Sequence, residues 1–328
     1  MHDAVEEMTY AQALNRALVE EMERDERVVV LGEDIATHGG VFAVTRGLVD
    51  RFSERRVRDT PISEQAIVGA ALGAALTGMR PVAELQYLDF ATVAMDQIVQ
   101  QVAKIRYMTA GQVKVPLVIR SQGGGGKGNA AQHSQSLEAW FVHVPGLYVV
   151  QPSTPADARG LLVTAIREDN PVMFLEHKLL YGTRGPVPVA PTAIPLGVAD
   201  VKRPGSDVTV VATSRMVLFS LEAAEELAKE GIDVEVIDPR SLVPLDMDTI
   251  VASVKRTGRA LVVHEAVRRG GVGAEIAAGI TERAFDYLDV PVGRIGALAC
   301  PIPYARNLED AVLPQVADIV SAVRELVR

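Results

Sequence analysis

The chain has 328 residues, of which 48% are hydrophobic and 23% charged, proportions that are typical of a folded globular protein rather than a disordered or fibrous one. Its 33 Lys and Arg residues against 42 Asp and Glu residues give a net charge of −9, which disfavours binding to nucleic acids and to anionic membranes. Cys300 is the only cysteine, so neither an internal disulfide nor a cysteine-cluster metal site can form. The acidic N-terminal residues lack the pattern of a signal peptide and no apolar run is long enough to span a bilayer, so we expect a cytoplasmic protein.

The first half of the chain alternates between helix and strand patterns. Thr9 is a predicted N-cap of an amphipathic helix, and the β-branched run 27–31 predicts a strand that ends in Gly32-Glu33-Asp34. Acidic residues at the carboxyl end of a strand are of interest because open α/β sheets bind ligands at that edge. Further patterns predict helices at 66–77, with Ser63 as its cap, 90–107 and 154–167, and strands at 81–85, 115–120 and 172–175.

The second half repeats the alternation after a segment rich in proline and glycine. We expect an N-terminal domain over 1–181, a linker over 182–205 and a C-terminal domain over 206–328. The predicted fold class is α/β, with two doubly wound domains whose sheets are mostly parallel. In the second domain we expect strands at 208–212, 234–237, 260–264 and 292–295, and helices at 217–229, 247–255, 273–285 and 308–326.

Two residues are candidates for chemistry on local pattern alone. Glu64 lies between the turn formed by Thr60-Pro61-Ile62-Ser63 and a helix of small residues, where a carboxylate could be partly desolvated; it could equally be a first-turn acid that interacts with the helix dipole. His133 follows a glycine-rich loop and could be a proton-transfer group or an ordinary polar residue. The glycines at 123–126 and 128 match no phosphate-binding motif, so we expect a mobile loop. His264-Glu265 ends a predicted strand but lacks the HExxH spacing of a zinc site.

Ordered sequence blocks give a resemblance that covers nearly the whole chain. The sequence resembles the beta subunits of the thiamine-diphosphate-dependent 2-oxo acid dehydrogenases, in the transketolase-like superfamily. That resemblance implies a pyrimidine-binding N-terminal domain and a transketolase C-terminal-like domain. The blocks that carry it are 31–34, 59–64, 78–82, 96–98, 130–135, 145–147, 166–171, 246–250 and 301–304.

The resemblance assigns roles to individual residues. It implies that Glu64 hydrogen-bonds a ring nitrogen of the cofactor's aminopyrimidine and that Phe90 packs on that ring, with Ile62 also at the cofactor. It implies that His133 transfers protons or guides the lipoyl group, and that Glu33 belongs to a proton path between paired active sites. Its last implication is a structural potassium ion bound mainly by backbone oxygens of Leu117, Ala165, Glu168 and Asn170.

A missing motif divides the implied site between two chains. The superfamily binds the Mg²⁺-diphosphate group with a GDG motif, which this sequence does not contain. The resemblance therefore implies an alpha subunit that supplies the Mg²⁺ and diphosphate ligands within a heterotetramer of two alpha and two beta chains. The predicted helices 66–77 and 90–107 are candidates for that interface. A lipoyl-bearing dihydrolipoyl acyltransferase core is the implied second partner.

The expected reaction is the oxidative decarboxylation of a 2-oxo acid, with transfer of the acyl group to a lipoyl domain. Pyruvate and branched-chain 2-oxo acids are the leading substrates and acetoin is an alternative, because much of the substrate selection would come from the alpha chain. Two other classes stay open, namely a scaffold that binds no cofactor and a self-sufficient homodimer of the transketolase type. The missing GDG motif argues against the homodimer, and the presence together of Glu64, Phe90 and His133 argues against the scaffold.

Overall fold

The structure is a computed structural model that describes residues 4–328, and the chain divides into two compact units. The first unit comprises the chain up to Gly123 together with Trp140–Leu196, and the second comprises Gly124–Ala139 together with Gly197–Arg328. The segment 124–139, which contains His133, is therefore grouped with the C-terminal half of the chain. The periodicity of the sequence gives no indication that this segment groups with the C-terminal half. The predicted domain limits themselves stay a prediction.

The elements up to residue 188 follow the predicted alternation, with several short additions. They are β1 (Val5–Thr9), α1 (Tyr10–Arg24), β2 (Val28–Gly32), α2 (Leu48–Phe52), β3 (Val57–Asp59), α3 (Glu64–Leu76), β4 (Arg80–Leu85), a 3-10 helix (Leu88–Thr92), a π-helix (Asp96–Val102), α4 (Ile105–Met108), β5 (Val118–Gly123), α5 (Glu138–Val142), β6 (Tyr148–Val150), α6 (Pro155–Arg167), β7 (Val172–His177) and β8 (Arg184–Pro188).

Strands β2 to β7 of the first unit form a parallel sheet in the order β6-β7-β5-β4-β2-β3. Helix α1 begins where the sequence predicts, because Thr9 and Gln12 form a capping box in which each side chain accepts a hydrogen bond from the other's backbone N–H. Its apolar stripe, which includes Leu14 and Leu18, is fully buried, and the helix packs against α6. The carboxyl ends of the parallel strands share one edge of the sheet.

The predicted helix 90–107 is wrong as a single α-helix. The structure has a 3-10 helix, a π-helix and the short α4 in its place. The reason lies in the spacing of its apolar residues, because Ala94, Ile98 and Val102 recur every four residues and all three are buried. A turn wider than 3.6 residues keeps this series on one face, and Ala103 accordingly bonds to the carbonyl of Ile98 five residues earlier.

The segment 182–205 contains two strands, whereas a linker would be irregular throughout. Strand β8 pairs antiparallel with β1, from Val5 opposite Pro188 to Thr9 opposite Arg184. A second strand, Asp200–Arg203, belongs to the second unit. Pairing of backbone groups with distant strands stabilises both stretches, and neither stretch has a periodic apolar pattern that would reveal it.

The second unit contains a second open sheet together with several helices. Its elements are β9 (Asp200–Arg203), β10 (Val208–Ala212), α7 (Arg215–Ala228), β11 (Val234–Asp238), β12 (Ser241–Val243), α8 (Met247–Thr257), β13 (Ala260–Val267), α9 (Val272–Ala284), a 3-10 helix (Phe285–Tyr287), β14 (Gly293–Ala297), α10 (Arg306–Val312) and α11 (Val316–Leu326).

Strands β14, β13, β10 and β11 are parallel neighbours in that order, and β9 adds an antiparallel edge. Val208 and Val210 of β10 face the core formed with α7 and α11, whereas Thr209 bonds to Ser253 and Thr257 of α8. Alternate residues of one strand thus contact helices on opposite sides, which gives the doubly wound arrangement that the sequence predicts.

Two predicted helix limits of the chain are corrected by the structure. The predicted helix 308–326 is two helices, α10 and α11, because Pro314 lacks a backbone N–H and restricts the residue before it. Ser63 occupies the N-cap position of α3, but its side chain makes no capping hydrogen bond. No helix within residues 4–328 is long and apolar enough to cross a membrane, and the cytoplasmic location stays a prediction.

Candidate active site

The candidate residues of the first unit follow the carboxyl ends of three adjacent strands. Strand β2 is followed by Glu33, β3 by the turn that leads to Glu64, and β4 by the 3-10 helix that contains Phe90. Because β4, β2 and β3 are parallel neighbours, these three segments leave the sheet at the same edge. The close approach of β2 and β4 depends on Gly32, where a Cβ atom would lie 2.8 Å from the carbonyl oxygen of Glu84.

Glu33 and Glu64 form a pair of buried carboxylates. Each side chain belongs to a residue that is only 7% exposed. Burial raises the pKa of Glu33, and the negative charges of Glu64 and Asp34 raise it further. Glu64 is the first residue of α3, where the helix dipole favours a negative charge. A buried carboxylate at this edge of the sheet is suited to bind a nitrogen of a ligand.

Asp59 fixes the loop that follows Glu33. Its carboxylate accepts hydrogen bonds from the backbone N–H groups of Ala36 and Thr37, at 2.7 and 3.1 Å, and from the Thr37 hydroxyl. Burial opposes the charged form, but these bonds together outweigh it and lower the pKa of Asp59. The block 59–64 is thus joined to the loop after Glu33, and the N–H of Thr60 joins it to the block 31–34 by donating to the carbonyl oxygen of Gly32 at 3.0 Å.

Phe90 is half-buried and contacts Tyr87 in an edge-to-face arrangement, with the ring centroids 5.6 Å apart. The Nζ atom of the buried Lys178 lies 5.3 Å from the centroid of the Tyr87 ring, a cation–π distance. The position of Phe90 is therefore set by two further side chains that the sequence analysis did not single out. Ile62 is 82% exposed, and its predicted contact with the cofactor stays a prediction.

A buried ion network lies along strands β4, β5 and β7. Arg120 is 1% exposed and donates two hydrogen bonds to Glu176, at 2.7 and 2.9 Å, and one to Glu84 at 2.7 Å. The Tyr181 hydroxyl donates to Glu176 at 2.6 Å. The two carboxylates raise the pKa of Arg120 and keep it charged despite its burial. Charged residues within otherwise apolar strands were the signal in the sequence that could have revealed this network.

The groups that are expected to bind potassium already accept hydrogen bonds within the protein, some of them from arginine side chains. The guanidinium of Arg80 donates to the carbonyl oxygens of Ile166 and Glu168, at 2.8 and 2.6 Å, and pairs with Asp169 at 3.1 Å. The backbone oxygen of Leu117 accepts from Val172, that of Ala165 accepts from Glu168, and the side-chain oxygen of Asn170 accepts from Arg106. The potassium ion stays a prediction.

His133 lies in the second unit, in the segment 124–139, and is half-buried. The sequence analysis expected a mobile glycine loop before His133. The structure instead shows that backbone N–H groups of this loop donate hydrogen bonds to the carboxylates of Glu265 and Glu309. A pocket of about 360 Å³ is lined by Ser134, Glu265, Leu313 and twelve other residues from 131–137, 266–269 and 297–302. Sequence reasoning did not find Glu309.

His264 and Glu265 lie within β13 and have separate environments. His264 is buried, neither ring nitrogen has a hydrogen-bond partner in the described chain, and burial lowers its pKa to about 4. It is therefore a neutral group at physiological pH. Across residues 4–328 no cluster of three or more His, Cys, Asp or Glu side chains has the geometry to hold a metal ion, and Mg²⁺ stays a prediction.

Two family descriptions match almost the whole chain. Residues 6–184 match the transketolase pyrimidine-binding domain, and residues 197–319 match the transketolase C-terminal domain. A solved structure described as "Split gene transketolase, inactive beta4 tetramer" superposes with a TM-score of 0.79 at 26% sequence identity and covers 98% of both chains. The predicted two-domain transketolase-like fold is confirmed.

Curated relatives are similar over nearly their whole length. The chain is 47% identical to the pyruvate dehydrogenase E1 component subunit beta-2 of Oryza sativa, which covers 98% of this chain and 86% of that protein. It is 46% identical to the 2-oxoisovalerate dehydrogenase subunit beta of Bacillus subtilis, with coverage of 97% and 98%. It is 47% identical to the acetoin:2,6-dichlorophenolindophenol oxidoreductase subunit beta of Cupriavidus necator, with coverage of 96% for each. The chain therefore belongs to the transketolase-like family of 2-oxo acid dehydrogenase beta subunits, as the sequence analysis predicts.

Proposed function

We propose that the chain is the beta subunit of a thiamine-diphosphate-dependent decarboxylating component that acts on pyruvate or a branched-chain 2-oxo acid and passes the acyl group to a lipoyl domain. One observation carries the proposal, namely the buried carboxylate of Glu64 at the start of α3, whose charge helps to raise the pKa of the neighbouring Glu33. A ring nitrogen of an aminopyrimidine would be a suitable hydrogen-bond partner for this carboxylate. Acetoin stays an alternative substrate, since a similar relative is named for it.

The candidate side chains of the first unit fit the pyrimidine end of thiamine diphosphate. Glu64 would hold a proton between its carboxylate and the ring nitrogen, and Phe90 would pack against the ring with Tyr87 and Lys178 behind it. Glu33, whose pKa is raised, would exchange that proton with Glu64. When bound, the cofactor supplies the electron sink for decarboxylation. His133 would transfer protons to or from the substrate.

We propose that a separate alpha subunit supplies the Mg²⁺ and diphosphate ligands, because the sequence lacks a GDG motif. Active enzyme would then need both chains, and we propose a heterotetramer of two alpha and two beta subunits. The exposed face of α3 supports such an interface, since Ala66, Ala70 and Gly73 leave its backbone accessible to a closely packed helix. A lipoyl-bearing acyltransferase core is the proposed acceptor.

The first experiment is co-expression with the alpha chain, followed by dye reduction in the presence of thiamine diphosphate and Mg²⁺. We expect activity only when both chains are present, with pyruvate or 3-methyl-2-oxobutanoate preferred over acetoin. Activity of this chain alone would support the homodimeric alternative. A stable complex that binds no cofactor would support the scaffold.

The second experiment tests Glu64 through exchange of the thiazolium C2 proton in the assembled complex. Glu64→Gln should slow this exchange about a hundred-fold or more, because the amide cannot shift a proton to the ring nitrogen. Glu54→Gln is the matched control, since Glu54 is exposed and lies outside the site. Exchange at the wild-type rate in Glu64→Gln would contradict the assignment.

A further inference from the structure

The glycine loop after β5 is anchored by buried carboxylates of the second unit. The backbone N–H groups of Gly126 and Gly128 donate to the two oxygens of Glu309, at 2.7 and 2.9 Å. The N–H of Gly125 donates to Glu265 at 2.7 Å. Hydrogen bonds to a charged acceptor are stronger than those between neutral groups, so these three bonds hold the loop firmly.

Glu309 is shaped for this contact. It lies in the first turn of α10 and is fully buried. A carboxylate is rarely fully buried unless it is paired. Leu313, which directly follows α10, packs on the loop, and a Cβ atom at Gly125 would lie only 2.6 Å from its Cδ1 atom. A larger residue at position 125 would therefore press on Leu313 and approach the Glu309 carboxylate.

The anchored loop leads directly to His133. Gly128 precedes His133 by five residues, and the N–H of Gly124 bonds to the carbonyl oxygen of Gln135 at 3.2 Å, which closes the base of the segment. The segment 124–135 is thus a closed loop that is held at its base and along one side. Since His133 lies between these two attachments, loss of the Glu309 bonds would free the loop before the histidine.

We propose that Glu309 is a positioning residue that holds the glycine loop and, through it, the segment that carries His133. This inference rests on the function proposed above, in which His133 transfers protons. Glu309 itself is fully buried within the second unit and acts through the loop backbone. Its carboxylate is needed for this role because both oxygens are used as acceptors.

The test uses the assembled complex of both chains and the variants Glu309→Gln, Glu309→Asp and Asp310→Asn. Gln replaces one acceptor oxygen with a donor, so we expect hydrogen exchange of the amides in 124–135 to accelerate about ten-fold or more. Trypsin cleavage after the exposed Lys127 should accelerate in parallel. Glu309→Asp keeps the charge and should restore part of the protection. Asp310→Asn removes an exposed charge from the same helix and should change neither reading.

Kinetics distinguish positioning from stability alone. We expect Glu309→Gln to lower kcat about ten-fold with the KM for the 2-oxo acid and the assembly unchanged, and Glu309→Asp to recover part of it. Unchanged exchange in Glu309→Gln would overturn the anchor. Faster exchange with unchanged kcat would overturn the positioning role. An inactive wild-type complex would overturn the proposed function, whereas exchange, which needs no substrate, still decides the anchor.

Discussion

Arg120 and Glu176 form a bidentate ion pair inside the first unit, with Nε and Nη2 of Arg120 2.7 and 2.9 Å from the two carboxylate oxygens. Both side chains are inaccessible to water, and Glu84 adds a second carboxylate at 2.7 Å from Nη1. Burial raises the pKa of Glu176, whereas Arg120 opposes that effect. The pair therefore depends on the presence of both partners.

Arg120→Met should be strongly destabilising, because it removes the positive charge from the buried Glu176 and the largely buried Glu84. We expect a loss of about 3–5 kcal/mol in the free energy of unfolding, measured by urea denaturation. Arg120→Met combined with Glu176→Met should lose less than the single variant. Arg51→Met, which breaks a half-exposed pair with Glu23, is the control and should cost less than about 1 kcal/mol. A loss as small as the control in Arg120→Met would contradict this account.

The imidazole of His264 packs directly against Gly273 in the second unit. A Cβ atom at Gly273 would lie 2.4 Å from Cδ2 and 2.6 Å from Nε2 of the buried imidazole. We expect Gly273→Ala to cost about 2 kcal/mol, read from thermal and urea unfolding. Gly279→Ala is the matched control in the same helix, because its Cβ atom would meet only the flexible end of Met247 and alanine favours the helix.

A double-mutant cycle identifies the cause of that loss. If the imidazole is the obstacle, His264→Ala should remove much of the penalty of Gly273→Ala, so the two changes should cost less together than their sum. Strict additivity would place the cause of the Gly273→Ala loss elsewhere.

The burial of His264 also makes stability depend on pH. Its pKa is about 4 in the folded chain and about 6.5 when exposed, so the unfolded state binds the proton first as the pH falls. The stability from the neutral imidazole is present above pH 6.5 and is lost towards pH 4, by on the order of 3 kcal/mol. His264→Gln should show a flatter dependence between these pH values in urea titrations. His143→Gln, at an exposed position, should follow the wild type.

Patterns that repeat within one element were predictable from the sequence. Strand β10 has the predicted limits, and α1 begins at the predicted cap, because local apolar period and capping chemistry determine both. The resemblance gave the family and the fold, which the comparisons confirm. The roles of Glu64, Phe90 and His133 stay predictions.

Features that depend on distant contacts were not predictable. The grouping of 124–139 with the second unit and the anchor at Glu309 join residues that lie about 180 positions apart. The network around Arg120 joins three strands through single charged residues, which have no period to detect. The π-helix arose because apolar residues recur every four positions, a spacing close enough to 3.6 to be interpreted as an α-helix.

Glu138 provides the opposite pH dependence. Its side chain is fully buried, its Oε2 atom has no hydrogen-bond partner within the described chain, and burial raises its pKa to about 7, with the charge of Glu265 adding to the effect. Between pH 4.5 and pH 7 the folded chain keeps a proton that the unfolded chain releases. Stability therefore falls as the pH rises through this range, by on the order of 3 kcal/mol.

Glu138→Gln should remove this dependence, because the amide is neutral at every pH and has nearly the same shape. We expect the variant to have a higher Tm than the wild type at pH 8 and a similar Tm at pH 5. Glu282→Gln, at an exposed position in α9, is the control and should run parallel to the wild type. Parallel curves for Glu138→Gln as well would mean that Glu138 is already charged in the folded chain at pH 5, and the account of its burial would fail.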